Sequence, residues 1–167
     1  MTRRVSRPKR LRHAPRLACV LLSMFALALP VASWAVCTIT ATTMPFGPYN
    51  PTNSAPTNGS GTVKVICTVV VGINLSWTVK MSTGASTTYS PRRMTNGAAT
   101  LNYNIYTTNG YSTIWGDGSG TTGFISDSAF LVIGTTTSTY PMYGRIPALQ
   151  DARSGSYTDS IVVTVTY

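Results

Sequence analysis

The sequence predicts an all-β protein folded as an antiparallel β-sandwich, and three observations carry that expectation. From Val36 onward Thr, Ser, Gly and Asn dominate, and Val, Ile and Tyr supply most of the apolar content. That mixture suits pleated, half-buried strands. Apolar and polar residues alternate with period two in several runs, and no 3.6-residue apolar stripe of useful length appears. Turn residues separate the runs at roughly the spacing of a sandwich of short strands.

Taken in order, Cys37, Ile39 and Ala41 alternate with Thr38, Thr40 and Thr42 and read as a first strand. Pro45, Pro48, Pro51 and Pro56, with Asn58-Gly59 and Gly61, mark residues 45–61 as an extended, turn-rich passage. Val63, Val65, Cys67, Val69 and Val71 share a face. Leu75, Trp77, Val79 and Met81 do the same opposite Asn74, Ser76, Thr78 and Lys80, and Leu101, Tyr103 and Ile105 repeat the pattern. Further strands are expected at 122–133 and 137–146, with turns at Asn96-Gly97, Asn109-Gly110, Gly116-Asp117-Gly118 and Gly134. A last strand runs from Tyr157 to Tyr167, with Ile161, Val163, Val165 and Tyr167 on one face and Ser160, Thr164 and Thr166 on the other. The total is seven or eight strands, half of each buried.

The charge is misleading until the N-terminus is set aside. The 167 residues carry 13 Lys and Arg against 4 acidic residues, a net of +9. Seven of the basic residues precede Leu17, an apolar run follows to Val31, and Ser33-Trp34-Ala35 closes it with small residues at the −3 and −1 positions. This order describes a secretory signal cleaved after Ala35. A membrane anchor is disfavoured, because 15 apolar residues make about 22 Å of helix against a hydrocarbon core of ~30 Å. Arg3-Arg4 lacks the apolar residues of twin-arginine export, and Cys19 stands too early in the apolar run for a lipoprotein. Residues 1–35 are therefore read as the signal and 36–167 as one domain. That domain has six basic and four acidic side chains, a net of +2, so the basic balance gives no argument for nucleic acid or a membrane span.

Cys37 and Cys67 remain in a chain bound for an oxidising compartment, so a disulfide is expected. Both lie on the apolar parity of their strands, which places the bridge inside the core. It closes a loop of about 30 residues, worth ~3–4 kcal/mol by chain entropy.

Catalytic chemistry has little to work with. After Ala35 there is no His and no Glu, which removes triads based on His and leaves too few ligands for a metal site. Asp117 reads as a turn residue. Asp159 falls on the apolar parity of the last strand and reads as a strand-entry residue rather than half of an acid pair. Gly116-Asp117-Gly118-Ser119-Gly120 has no helix after it to hold a phosphate. We therefore expect no enzyme and no cofactor. Tyr103, Tyr106, Tyr111, Trp115, Tyr140, Tyr143 and Tyr157 leave a carbohydrate-binding module as the alternative, although strand composition explains most of them. Arg92-Arg93 reads as a solvated loop pair.

Several short segments, in this order, resemble a known family: Phe46-Gly47-Pro48-Tyr49, Pro91-Arg92-Arg93-Met94, Leu101 to Thr107, Ile114 to Gly118, Tyr143 to Ala148, and Gly155 to Tyr167 with the Cys37/Cys67 pair. Together they resemble the spore coat protein U domain family, secreted subunits of archaic chaperone–usher pili and related coats. The resemblance implies an incomplete immunoglobulin-like sandwich lacking its last strand. A periplasmic chaperone lends a strand, and a neighbouring pilus subunit replaces it at an outer-membrane usher. It further implies a surface or secreted location, a surface or glycan receptor, and chaperone or usher-type strand contacts along Ile161, Val163, Val165 and Tyr167. Only Val36 would separate cleavage from Cys37, so the chain is expected to accept a strand and donate none, as a tip or terminal subunit does.

Overall fold

The computed structural model describes residues 35–70, 72–131 and 133–167; the signal sequence expected over 1–35 lies outside them, apart from Ala35. Among the described residues eight strands form: β1 Ala35–Ala41, β2 Thr57–Val69, β3 Ile73–Met81, β4 Arg92–Asn96, β5 Ala99–Tyr106, β6 Ile125–Leu131, β7 Gly134–Ile146 and β8 Val163–Thr166. They make two sheets, one ordered β1-β2-β7-β5-β4 and the other β6-β3-β8. All the strand pairs are antiparallel.

The alternation read from the sequence sets which face is buried. Val63, Val65, Cys67 and Val69 of β2 meet Leu75, Trp77, Val79 and Met81 of β3 in one core with Met94, Leu101, Tyr103, Ile105, Met142 and Ile146. Cys37 sits opposite Cys67 in the β1–β2 register, and the two are joined by the expected disulfide on the core face. The bridge therefore links neighbouring strands of one sheet and leaves the two layers to be joined by packing and polar contacts.

Two polar contacts tie the layers together. Trp77 Nε1 on β3 donates to the Tyr140 hydroxyl on β7 at 2.8 Å, and that hydroxyl donates to Asp127 Oδ2 on β6 at 2.7 Å. At the other tie, Arg92 of β4 is fully buried. Its Nε and Nη2 donate to the Ser82 carbonyl, just past β3, at 3.0 and 2.8 Å. Nη2 also donates to the Trp115 carbonyl at 2.6 Å and Nη1 to Asn104 Oδ1 at 3.0 Å. Burial pulls the Arg92 pKa below its ordinary value, with Tyr103, Tyr89 and Asp159 opposing that shift.

Three expectations need correction. Arg92-Arg93 is no loop pair: it opens β4, where Arg92 faces inward and Arg93 outward, and the sequence reading missed this strand. The residue pattern Arg92-Arg93-Met94 hid the alternation, because a buried cation occupies a core position. The passage 45–61 is shorter than expected, since β2 begins at Thr57 and takes Gly59 and Gly61 into the strand. The last strand is also shorter, Val163–Thr166 instead of 157–167. Ahead of it Thr158 is held by β4: Thr95 N–H donates to its carbonyl at 2.9 Å and its own N–H donates to the Thr95 carbonyl at 3.1 Å.

Candidate functional site

The core is closed at one end and open at the other. A cleft of about 1130 Å³ enters between the chain after β1 and the chain leading into β8. Its floor is the inward face of β4, β5 and β7, through Met94, Leu101, Tyr103, Ile105, Met142 and Ile146, with Met81 from β3. Residues 41–49 form one wall, and residues 152–161 with Val163 form the other.

The first wall lies flush on the sheet because glycines leave room for it. Gly59 and Gly144 stand opposite each other in the β2–β7 register. A Cβ on Gly144 would fall on Met44 Sδ and within 2.6 Å of Phe46 Cζ; one on Gly59 would come within 2.8 Å of the Pro45 carbonyl oxygen. Phe46 then meets Tyr103 edge to face, with ring centroids 5.8 Å apart. Tyr49 fixes the far end of the wall: its hydroxyl donates to the Pro147 carbonyl at 3.1 Å and accepts from Gln150 N–H at 2.7 Å. In the sequence, Asn58-Gly59 and Gly61 looked like turn residues. All three are strand residues, and the two glycines are kept small by the segment lying over them.

A single antiparallel bridge at Thr158 and several side-chain hydrogen bonds hold the second wall. Asp159 accepts from the Tyr103 hydroxyl at 2.7 Å and from Ala85 N–H at 2.8 Å. Burial pushes the Tyr103 pKa well above its ordinary 10.0, and the hydrogen bond to the Asp159 carboxylate adds to the shift. Val162 N–H donates to Ser82 Oγ, and Ser82 N–H donates to the Val162 carbonyl, both at 2.9 Å. An acidic residue on an apolar parity was the signal for this anchor, since such a residue needs a buried partner.

Among the described residues β8 lies at the edge of its sheet, paired only with β3, with Val79 opposite Val165 and Met81 opposite Val163. β1 lies at the edge of the other sheet. Leu75, Trp77, Val79 and Met81 of β3 are buried, whereas Ile161, Val163 and Val165 against the same core are only half-buried. Of the residues expected to meet a chaperone or usher, Ile161 and Val163 line the cleft. Val165 packs on the core beyond the cleft, and Tyr167 lies past the end of β8 and is half exposed. The arrangement combines a free backbone edge with an apolar trough beside it.

The aromatic residues do not assemble into one surface. Trp115 is fully buried, with its indole N–H donating to the Val79 carbonyl at 3.0 Å, and Tyr103 is buried in the cleft floor. Tyr140 belongs to the inter-sheet tie. Tyr106 and Tyr111 pack edge to face, and the Arg145 guanidinium lies 3.4 Å over the Tyr111 ring.

Comparison with known proteins places this geometry in context. The family description Spore Coat Protein U domain matches residues 23–164. Protein U of Myxococcus xanthus is 33% identical over 134 residues, covering 75% of this chain and 72% of that protein. Among solved structures, the chain is similar to one in the chaperone–tip adhesion subunit pre-assembly complex from archaic chaperone–usher Csu pili of Acinetobacter baumannii. The match has a TM-score of 0.52 and 18% identity, and covers 80% of this chain and 40% of that one. At that identity the likeness is one of fold, and it is consistent with an immunoglobulin-like sandwich in this chain. The extent of the family match and the identity with Protein U together show that the chain belongs to the Spore Coat Protein U domain family.

Proposed function

We propose that this protein is an exported, non-enzymatic structural subunit of a surface coat or pilus, completed by a β-strand from another chain. The observation that carries the reading is the open cleft beside the unpaired edge of β8. A strand laid there gains backbone hydrogen bonds from the edge and buries alternate side chains in the trough, the two components of strand-addition recognition. Four apolar side chains so buried contribute roughly 6–12 kcal/mol before the cost of ordering the donor. Membership of the family and the fold shared with a chain from a chaperone–tip adhesion subunit complex support this reading.

In the proposed pathway the signal sequence directs export and the disulfide forms outside the cytoplasm. A periplasmic chaperone then shields the cleft with its own strand, bearing on Ile161, Val163, Val165 and Tyr167. At an outer-membrane usher, a neighbouring subunit's strand replaces it. Cleavage after Ala35 would leave Val36 alone ahead of Cys37, so the subunit would receive a strand without passing one on, as a tip or terminal subunit does. Any glycan receptor would be met elsewhere, since Trp115 and Tyr103 are buried.

Expression tests the reading. The mature chain produced alone should aggregate, because an open trough and a free edge both invite association. The same chain with an apolar donor strand fused after Tyr167 through a flexible linker should be a soluble, heat-resistant monomer. A stable monomer without any donor would refute the proposal.

A further inference from the structure

The cleft differs from the closed part of the core in the kind of apolar residue that builds it. The closed part is centred on β-branched residues, Val63, Val65, Val69 and Val79, each almost wholly buried. The open end gathers methionines among leucine, isoleucine and aromatic residues. The sequence has six methionines, of which Met1 and Met24 precede residue 35; the other four, Met44, Met81, Met94 and Met142, all line the cleft. They converge from four places, the wall after β1 and the strands β3, β4 and β7. Met142 packs its terminal methyl against Gly61, where a Cβ would come within 2.7 Å of it.

Valine is held to few rotamers by its branched Cβ. Methionine has three rotatable side-chain bonds and a polarisable sulfur, so it refills irregular space around whatever is placed against it. On the reading of the cleft as a strand acceptor, we infer that its methionine lining makes it tolerant: it takes extended, uncharged segments whose inward side chains differ in size. Recognition then rests on the backbone edge of β8 and on the absence of charge. The cleft volume of about 1130 Å³ exceeds the ~300–1,000 Å³ usual for small-molecule sites, which favours a segment of chain. The only charged residues that line it are Arg153 and Asp159, and the Asp159 carboxylate is already engaged by Tyr103 and Ala85. An inward lysine would therefore find no free carboxylate among these residues.

A donor series tests the inference. Ten-residue strands alternating Thr with apolar residues are fused after Tyr167, with the central inward position set to Val, Leu, Phe or Lys. The Val, Leu and Phe fusions should all be soluble, with thermal midpoints within about 5 °C of one another; the Lys fusion should be lost to aggregation. Changing Met81, Met94 and Met142 to Leu, singly and together, should widen the spread among the three apolar donors to more than about 10 °C. If a triple variant fails to fold, the series in the unaltered cleft still decides. One accepted size, with the others aggregating, would overturn the tolerance and leave the acceptor role standing. If no donor stabilised the chain, the acceptor role itself would fall and the inference with it.

Discussion

Replacing Arg92 with Met should weaken the domain more than any exposed substitution can, and the structure allows the loss to be estimated. The side chain is fully buried and reaches from β4 to three acceptors: the Ser82 carbonyl, the Trp115 carbonyl and Asn104 Oδ1. Methionine fills similar volume but donates nothing, so all three acceptors lose this donor at about 1–3 kcal/mol each. Removing the cost of burying a cation returns part of that. The net loss should be about 3–5 kcal/mol, a large share of the ~5–15 kcal/mol that holds a typical domain together. Arg92→Lys keeps the charge and loses the planar fork that serves several acceptors at once, so it should cost about 2 kcal/mol. Urea unfolding of the donor-fused domain measures both, and the Met variant should lower the midpoint by roughly 2 M with an unchanged slope. Arg93→Met on the exposed neighbour should stay within about 0.5 kcal/mol of the parent. A loss below about 1 kcal/mol for Arg92→Met, or a Lys variant equal to the parent, would refute the assignment of Arg92 as the clamp between layers.

The Tyr103–Asp159 contact gives stability a sign with pH. The folded state keeps the Tyr103 proton after the unfolded chain releases it near the ordinary pKa of 10.0. The contribution is therefore whole below pH 10 and is lost as pH rises above it. Titration of stability from pH 7 to 11.5 should show that fall, and Tyr103→Phe should make it shallower; an unchanged slope would count against the contact. Gly144→Ala should push Met44 and Phe46 off the sheet and lower the thermal midpoint of the fused domain by several degrees; a normal midpoint would mean that the wall shifts freely. Val163→Asp places a charge on the half-buried face of β8, so donor fusions should no longer rescue solubility, whereas Thr164→Asp on the exposed face should be tolerated. Non-reducing mass spectrometry of the exported protein should find Cys37 joined to Cys67, and two free thiols would contradict the described core.

The strands with clean alternation were legible in the sequence because burial on one face is what period-two patterning encodes. Cys37 to Ala41, Val63 to Val69, Leu75 to Met81 and Leu101 to Ile105 lie in the expected strands with their apolar faces inward, although Ala41 at the end of β1 is exposed. Residues whose role depends on a distant partner were not legible. Arg92 looks solvated until Ser82 and Trp115 are brought to it from other elements. Gly59 looks like a turn until residues 42–46 are laid over it, since a glycine that admits a crossing segment and one that bends the chain are the same letter. The short β8 has the same origin: Thr158 and Asp159 continue the alternation but are claimed by Thr95, Tyr103 and Ala85. The four cleft methionines were visible as residues, but only the packing of four separate elements brings them together.

The central claim is that β8 offers its free edge to an added strand, and the structure of the donor-fused domain in solution tests it most directly. Cross-strand nuclear Overhauser contacts should connect the donor backbone to Val163–Thr166, with the donor's inward side chains touching Met81, Met94 and Met142. The β8 amides facing the donor should become protected from hydrogen exchange. A donor tail that remains unstructured, with the β8 edge exchanging freely in a domain that is nonetheless stable, would contradict the account.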